Sequence, residues 1–234
     1  MTKKIAVVGA TGRMGKLALD LIDASQDLSV FAALDSKSEL SGALGADAIF
    51  DVTRLDVSAE VVAFAQANSI PVVVGTSGWS AEKLSTLDSR GSAVVVIPNF
   101  SVGSMLATRF AAEAAKFFES IEIVETHHAG KVDSPSGTAV RTAELIAKSR
   151  SNTPLVPGVG QEARGEVVAG VPIHSLRLEG VSAKQSVYLG GSAELLTITH
   201  ETSSVAAYSA GILASLRFAL TTQGLHVGLE SVLG

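Results

Sequence analysis

No cysteine occurs among the 234 residues. Disulfides, thiolate metal sites, a cysteine nucleophile and dehydrogenase chemistry through a thioester are excluded together. Tyrosine is nearly as scarce: Tyr188 and Tyr208 are followed four residues later by Ser192 and Ile212. A short-chain-type reductase needs a lysine at that offset, so this class is excluded as well. Aromatic residues make up only 5%, which leaves the core to aliphatic side chains. No apolar run approaches the roughly 18 residues that a membrane helix needs. The opening Met1 to Gly9 imitates a signal peptide's charged start, but its apolar part is short, and Arg13 and Lys16 follow at once. A cytoplasmic protein with no membrane partner is expected. Positive charge is in deficit, 18 Lys and Arg against 23 Asp and Glu. That balance argues against a nucleic-acid binder. An anionic ligand must then be held by a local positive site.

Hydrophobic residues reach 47%, chiefly Val, Ala, Leu and Ile, a usage suited to buried parallel strands covered by helices. The length fits one large domain or two modest ones. Residues 4–8 read as a strand leading into Gly9-Ala-Thr-Gly12-Arg-Met-Gly15, after which Met14, Leu17, Ala18, Leu21 and Ile22 fall at helical spacing. This G-x-x-G-x-x-G is a variant of the dinucleotide fingerprint, whose glycines permit a tight turn, backbone approach to a pyrophosphate and close helix–strand packing. A second strand, Leu28 to Leu34, ends in Asp35, twenty residues after Gly15. An acid there bonds the ribose hydroxyls of NAD, whereas the nearby Lys37 is placed to meet a 2′-phosphate. Strands at 48–52, 71–75 and 93–97 alternate with helices at 58–68 and 81–89, which predicts a parallel sheet with right-handed crossovers. Ligands bind such sheets at the strands' carboxyl ends. Asp51-Val-Thr53, Gly75-Thr76 with Ser77 in the loop, and Pro98-Asn99-Phe100 therefore share a rim with Gly9 to Gly15.

A helix at 104–118 leads to Glu125-Thr-His-His-Ala-Gly-Lys-Val-Asp-Ser-Pro-Ser-Gly-Thr138. Residues 120–125 alternate as a strand does, so His127, His128 and Lys131 are expected where that strand runs out into a loop. Ser136-Gly137-Thr138 opens a helix, whose N–H groups and partial positive charge suit a carboxylate or phosphate. Proton donors, a cation and an anion-binding helix start within fourteen residues describe a site for an acidic small molecule. Zinc is not expected here, because adjacent residues of an extended segment point to opposite faces. Residues 150–170 read as a loop. Strands at 173–179, 185–189 and 194–201, with no helices between them, predict an antiparallel or mixed second sheet. A helix at 205–221 and a short tail at 224–234 end the chain.

With these motifs assembled, the sequence resembles the dihydrodipicolinate reductase (4-hydroxy-tetrahydrodipicolinate reductase) family nearly end to end. The anchors are Gly9 to Gly15, Gly75-Thr-Ser-Gly78, Pro98-Asn-Phe-Ser-Val-Gly103 and the Glu125–Thr138 motif. The resemblance implies an α/β fold: a Rossmann-type cofactor domain of residues 1–102 and 204–234, and an α+β substrate and oligomerisation domain of mixed sheet at 103–203. It also implies a homotetramer, and NAD(P)H-dependent reduction of a cyclic imine dicarboxylate in lysine and diaminopimelate synthesis. His127 would be the general acid with Lys131 as its partner, and His128, Ser136, Gly137 and Thr138 would hold substrate carboxylates. NADH or NADPH would lie on Gly9, Thr11, Gly12, Arg13, Met14, Gly15, Asp35, Lys37, Thr53, Gly75, Thr76, Ser77, Pro98, Asn99 and Phe100. Val205 and Lys184 depart from the family pattern, which leaves open a second reading: a dinucleotide-binding relative that senses rather than turns over.

Overall fold

A computed structural model describes residues 1–87, 91–150 and 161–234. In chain order its main elements are β1 (Lys3–Val8), α1 (Arg13–Asp23), β2 (Leu28–Leu34), β3 (Ala48–Asp51), α2 (Leu55–Ala67), β4 (Val72–Val74), α3 (Ala81–Ser85), β5 (Val94–Val96) and α4 (Val102–Ala114). Then come β6 (Ser120–His128), α5 (Gly137–Ser149), β7 (Glu166–Val168), β8 (Val171–Leu178), β9 (Ala183–Gly191), β10 (Glu194–Thr202), α6 (Ser209–Ala219), β11 (Leu225–Val227) and α7 (Glu230–Leu233). Two compact units result, residues 1–102 with 205–234, and residues 103–204.

The first unit is built on a six-stranded sheet in the order β11-β5-β4-β3-β1-β2. All its strands run parallel, so their carboxyl ends form one rim. The order reverses between β1 and β3, the switch point at which such sheets open a crevice. Both faces are covered, as the unbroken apolar strands require. Ala6, Val8, Ile49, Val72, Val74, Val94 and Val96 pack with Val61, Val62 and Ala65 of α2. The alternate residues Ile5, Val7, Phe50, Val73 and Val95 are fully buried, as are Ala18 and Ile22 of α1 and Ile212 and Leu216 of α6.

The second unit has a five-stranded mixed sheet, β10-β9-β6-β8-β7. The β6–β8 pair is parallel and the other pairs are antiparallel. One face carries Ile121, Ile123, Ile173, Val187 and Leu189, packed against Ala111 and Ala115 and against Ala139, Ala143 and Ile146 of α5.

Several boundaries differ from the sequence reading. The strand expected to end at 125 continues to His128, because β6 is paired on both sides as far as His127. The helix expected at 81–89 ends at Ser85, and residues 88–90 lie outside the described part. Of the loop expected at 150–170, residues 151–160 also lie outside it, while 166–168 form β7. The expected tail contains β11, which pairs with β5 and completes the first sheet.

Candidate functional site

In the first unit the rim is assembled around the glycine turn. The N–H groups of Gly9 and Ala10 both donate to the Leu34 carbonyl, at 2.9 and 3.0 Å. This ties the end of β1 to the end of β2. Gly9 has φ +88°, and a Cβ there would lie 2.7 Å from the Val52 carbonyl oxygen. A Cβ on Gly15 would run into the Gly9 carbonyl, so α1 seats on the strand end only because residue 15 has no side chain. Gly12 is the N-cap of α1 and contributes no side-chain cap, and the first turn holds no acid. The helix start is thus left open to an anion, with Thr11 and Arg13 exposed and Met14 half-buried beside it. These features fit a dinucleotide pyrophosphate. Asp35 follows β2 and begins a turn: its Oδ1 accepts from the Lys37 N–H and the Ser38 hydroxyl, both at 2.9 Å. Those bonds hold its carboxyl below the usual range, so it is anionic. Lys37 is exposed.

Asp51, wholly buried at the end of β3, organises the next part of the rim. Its Oδ1 accepts from the Thr53 N–H at 3.1 Å and the Thr53 hydroxyl at 2.6 Å. Its Oδ2 accepts from Ser58 and, at 3.2 Å, from Thr76. Burial pushes this carboxyl up, opposed by the hydroxyl bonds. Asp51 therefore fixes Thr53 and Thr76, two of the expected cofactor residues. Ser77 and Pro98 are exposed, Asn99 is half-buried, and Phe100 is buried against Phe50. A Cβ on Gly75 would lie 2.7 Å from the Phe100 ring. Asp51→Ala strands the Thr53 N–H and three hydroxyls, so a loss of about 3 kcal/mol is expected in urea unfolding. Asp51→Asn should lose clearly less, since hydroxyls can reverse their bonds.

In the second unit the alternation of β6 divides the histidines. His127 lies on the inner face with Ile121, Ile123 and Glu125, whereas His128 is exposed. The inner face thus changes from apolar core to polar site along one strand. Glu125 is fully buried and has four hydrogen-bonding neighbours. His127 Nδ1 lies 2.5 Å from its Oε2. Arg177 of β8, in register with His127, donates to both carboxylate oxygens at 3.0 and 2.9 Å. Ser175 bonds it as well, and the Ser136 N–H donates to Oε1 at 3.2 Å. Burial would raise the Glu125 carboxyl, but the Arg177, Ser175 and His127 bonds outweigh it and hold it low. For His127, burial dominates and lowers the imidazole; the Glu125 bond opposes this, while the Lys131 and Arg177 charges lower it further.

Lys131 sits in the loop after β6. Its ammonium pairs with Asp133 at 2.6 Å and acts on His127 through its charge. Ser136 caps α5, its hydroxyl accepting from the Ala139 N–H at 3.3 Å. Gly137 and Thr138 occupy the first turn, where N–H groups lack intrahelical partners. His127, Lys131 and the α5 start therefore converge at one end of the sheet. Sequence reasoning did not single out Glu125 or Arg177 for a role in the site. No cluster of three or more His, Asp or Glu that could hold a metal occurs among the described residues, and no described helix is long and apolar enough to cross a membrane.

A doubly wound parallel sheet with an open glycine turn at its switch point, joined to a mixed-sheet unit bearing a His–carboxylate pair, defines a two-unit α/β protein with a nucleotide-binding domain. The particular family follows from comparison. The model for the N-terminus of dihydrodipicolinate reductase matches residues 3–100, and that for its C-terminus residues 103–233. The chain belongs to the dihydrodipicolinate reductase family. It is 53% identical to a 4-hydroxy-tetrahydrodipicolinate reductase of Clavibacter sepedonicus, covering 100% of this chain and 87% of that one. With the reductase of Streptomyces griseus subsp. griseus the identity is 42%, over 98% and 97% of the two chains. A solved structure of dipicolinate-bound dihydrodipicolinate reductase from Paenisporosarcina sp. TG-14 superposes with a TM-score of 0.82 at 29% identity, covering all of both chains.

Proposed function

We propose that the protein reduces 4-hydroxy-tetrahydrodipicolinate to tetrahydrodipicolinate in lysine and diaminopimelate synthesis, using NADH or NADPH. The observation that carries this reading is the Glu125–His127 pair set beside Lys131 and the α5 N-terminus, in a chain of this family. The bound pyridine nucleotide supplies the hydride. Gly9, Gly12 and Gly15 would hold its pyrophosphate, Asp35 its adenine ribose, and Thr53, Gly75, Thr76, Ser77 and the Pro98–Phe100 segment its remainder. Lys131, His128 and the first turn at Ser136, Gly137 and Thr138 would hold the two substrate carboxylates. Reduction of a conjugated cyclic imine leaves a carbanion-like enamine that must be protonated. His127 is suited to give that proton: the substrate's two negative charges favour the charged imidazole that the free site disfavours. A cytoplasmic homotetramer with residues 103–203 as its oligomerisation domain completes the proposal.

The test is NADH oxidation while the substrate is generated in situ from pyruvate and aspartate semialdehyde by the upstream synthase. Turnover is expected; folded protein inert with both cofactors would exclude the enzyme. The sensor reading is separated by thermal stability: pyridine-2,6-dicarboxylate should raise Tm in the presence of NADH, and a pure cofactor sensor should ignore it. Asp35 carries the cofactor choice. NADH should serve at least as well as NADPH, and Asp35→Ala should shift the kcat/KM ratio towards NADPH, because an anion that repels a 2′-phosphate is removed. An unchanged ratio would show that Asp35 does not face the ribose.

A further inference from the structure

Glu125 and Arg177 carry no proton or hydride in the steps above, yet Glu125 is fully buried and hydrogen-bonded through both carboxylate oxygens, with the half-buried Arg177 forked onto it. Glu125 joins three things that catalysis must keep in register. It bonds His127 at Nδ1, the backbone N–H of the α5 cap Ser136, and the fork of Arg177. Arg177 extends the link, since its Nη2 also donates to the Asp133 carbonyl at 2.7 Å. One ion pair thereby ties strand β6, strand β8, the Lys131 loop and the start of α5 together.

Two chemical consequences follow from this geometry. An ionised carboxylate only accepts, so the imidazole nitrogen facing Glu125 must carry a hydrogen. That selects the Nδ1–H tautomer and makes Nε2 the nitrogen that gains and loses the working proton. Second, a bare buried carboxylate 2.5 Å from the ring would grip the imidazolium and hold back its proton. Arg177 shares that carboxylate through both oxygens, which weakens the grip without breaking the orienting bond. An Arg can do this from a fixed planar fork, whereas a Lys brings only a point charge.

We infer that Glu125 and Arg177 are positioning residues for the reduction: Glu125 fixes the His127 tautomer and ring, and Arg177 moderates that contact and holds the Lys131 loop to the sheet. The inference rests on the proposed reaction for its kinetic readout, but its spectroscopic readout does not. His127 feels the charges of Glu125 on its own strand, Arg177 on β8 and Lys131 in the loop, and it interacts as well with Asp133, the carboxylate paired to Lys131.

The test uses the full chain with 15N-labelled histidine, as wild type, Glu125→Gln and Arg177→Lys. In wild type the neutral His127 should show one protonated nitrogen, Nδ1, with Nε2 titrating. Glu125→Gln should mix the tautomers, shift the His127 titration and the matching limb of the kcat/KM profile, and lower kcat about tenfold or more. Arg177→Lys should keep the tautomer, shift the titration upward, and raise KM for the dicarboxylate as the loop loosens. Wild-type nitrogen shifts, pH limb and kcat in Glu125→Gln, with only a lower Tm, would reduce the pair to a structural ion pair. Should Glu125→Gln not fold, an unchanged His127 titration and unchanged kinetics in Arg177→Lys would overturn the inference equally. A wild type with no turnover would instead refute the proposed reaction, and the nitrogen spectra would still decide on the positioning.

Discussion

Replacing His127 by glutamine is expected to lower kcat by about 10²–10⁴, with a smaller change in KM. Glutamine retains a polar side chain of similar reach but cannot titrate. The pH dependence makes the expectation sharper. In the free protein the imidazole sits below its ordinary value of 6.5, because of burial first and then the Lys131 and Arg177 charges, with the Glu125 bond only partly compensating. If the acid is His127, kcat/KM reports this free-protein ionisation. It should fall about tenfold per pH unit above that lowered value. In the complex the dianionic substrate favours the charged ring, so kcat should hold to higher pH than kcat/KM does. His127→Gln should erase the limb in both profiles while leaving NADH affinity intact, since the glycine turn lies in the other unit. A His127→Gln protein with near-normal kcat would mean that water or His128 delivers the proton.

Lys131→Ala should weaken dicarboxylate binding, and its effect is sharpened by a neighbour that only the structure shows. A charge-assisted bond to a carboxylate contributes about 1.5–3 kcal/mol, roughly ten- to a hundredfold in affinity. Lys131 is already paired with Asp133, whose carboxyl it holds low. Removing the ammonium therefore also leaves an uncompensated carboxylate beside a dianion. The loss should fall at the upper end of the range, read as a rise in the Kd of pyridine-2,6-dicarboxylate in the presence of NADH. Asp133→Asn should behave oppositely, leaving affinity unchanged or improved because the ammonium loses its internal competitor. Equal losses in both variants would show that the pair serves the loop's shape and not the ligand.

What was legible in the sequence was whatever local spacing controls. The strand, glycine turn and helix at 3–23 are legible because the three glycines fall at a short fixed spacing and Gly12 and Gly15 answer to the nearby Gly9 carbonyl, whereas the approach of Gly9 to Val52 is long-range. The opposite facing of His127 and His128 followed from strand alternation alone. Arg177 escaped because its partner Glu125 lies fifty-two positions away. The available signal was its place two steps beyond Ser175 and four beyond the buried Ile173, a charge on the inward register of β8. The strand β11 escaped for another reason: Leu225-His-Val227 is too short to show a period, and only pairing with β5 makes it a strand. Asp51 reads from the sequence as a rim position, but its four acceptor bonds depend on Ser58 and Thr76 arriving from other segments.

The sheet of the first unit is finished by the last strand of the chain, after an excursion of about a hundred residues through the second unit. During synthesis on a ribosome, β5 emerges long before β11, and its outer edge offers unpaired N–H and C=O groups all that time. The aliphatic face that α6 will cover is equally bare, and α6 must then come so close that a Cβ on Gly211 would run into the Phe100 carbonyl. The second unit, continuous in sequence, has all its strands available first. The order of manufacture is thus the reverse of the order in which the two halves begin. A nascent chain ending near residue 204 would hold every described strand of the second unit and an unfinished first sheet, the form most exposed to strand-edge aggregation and most in need of a chaperone.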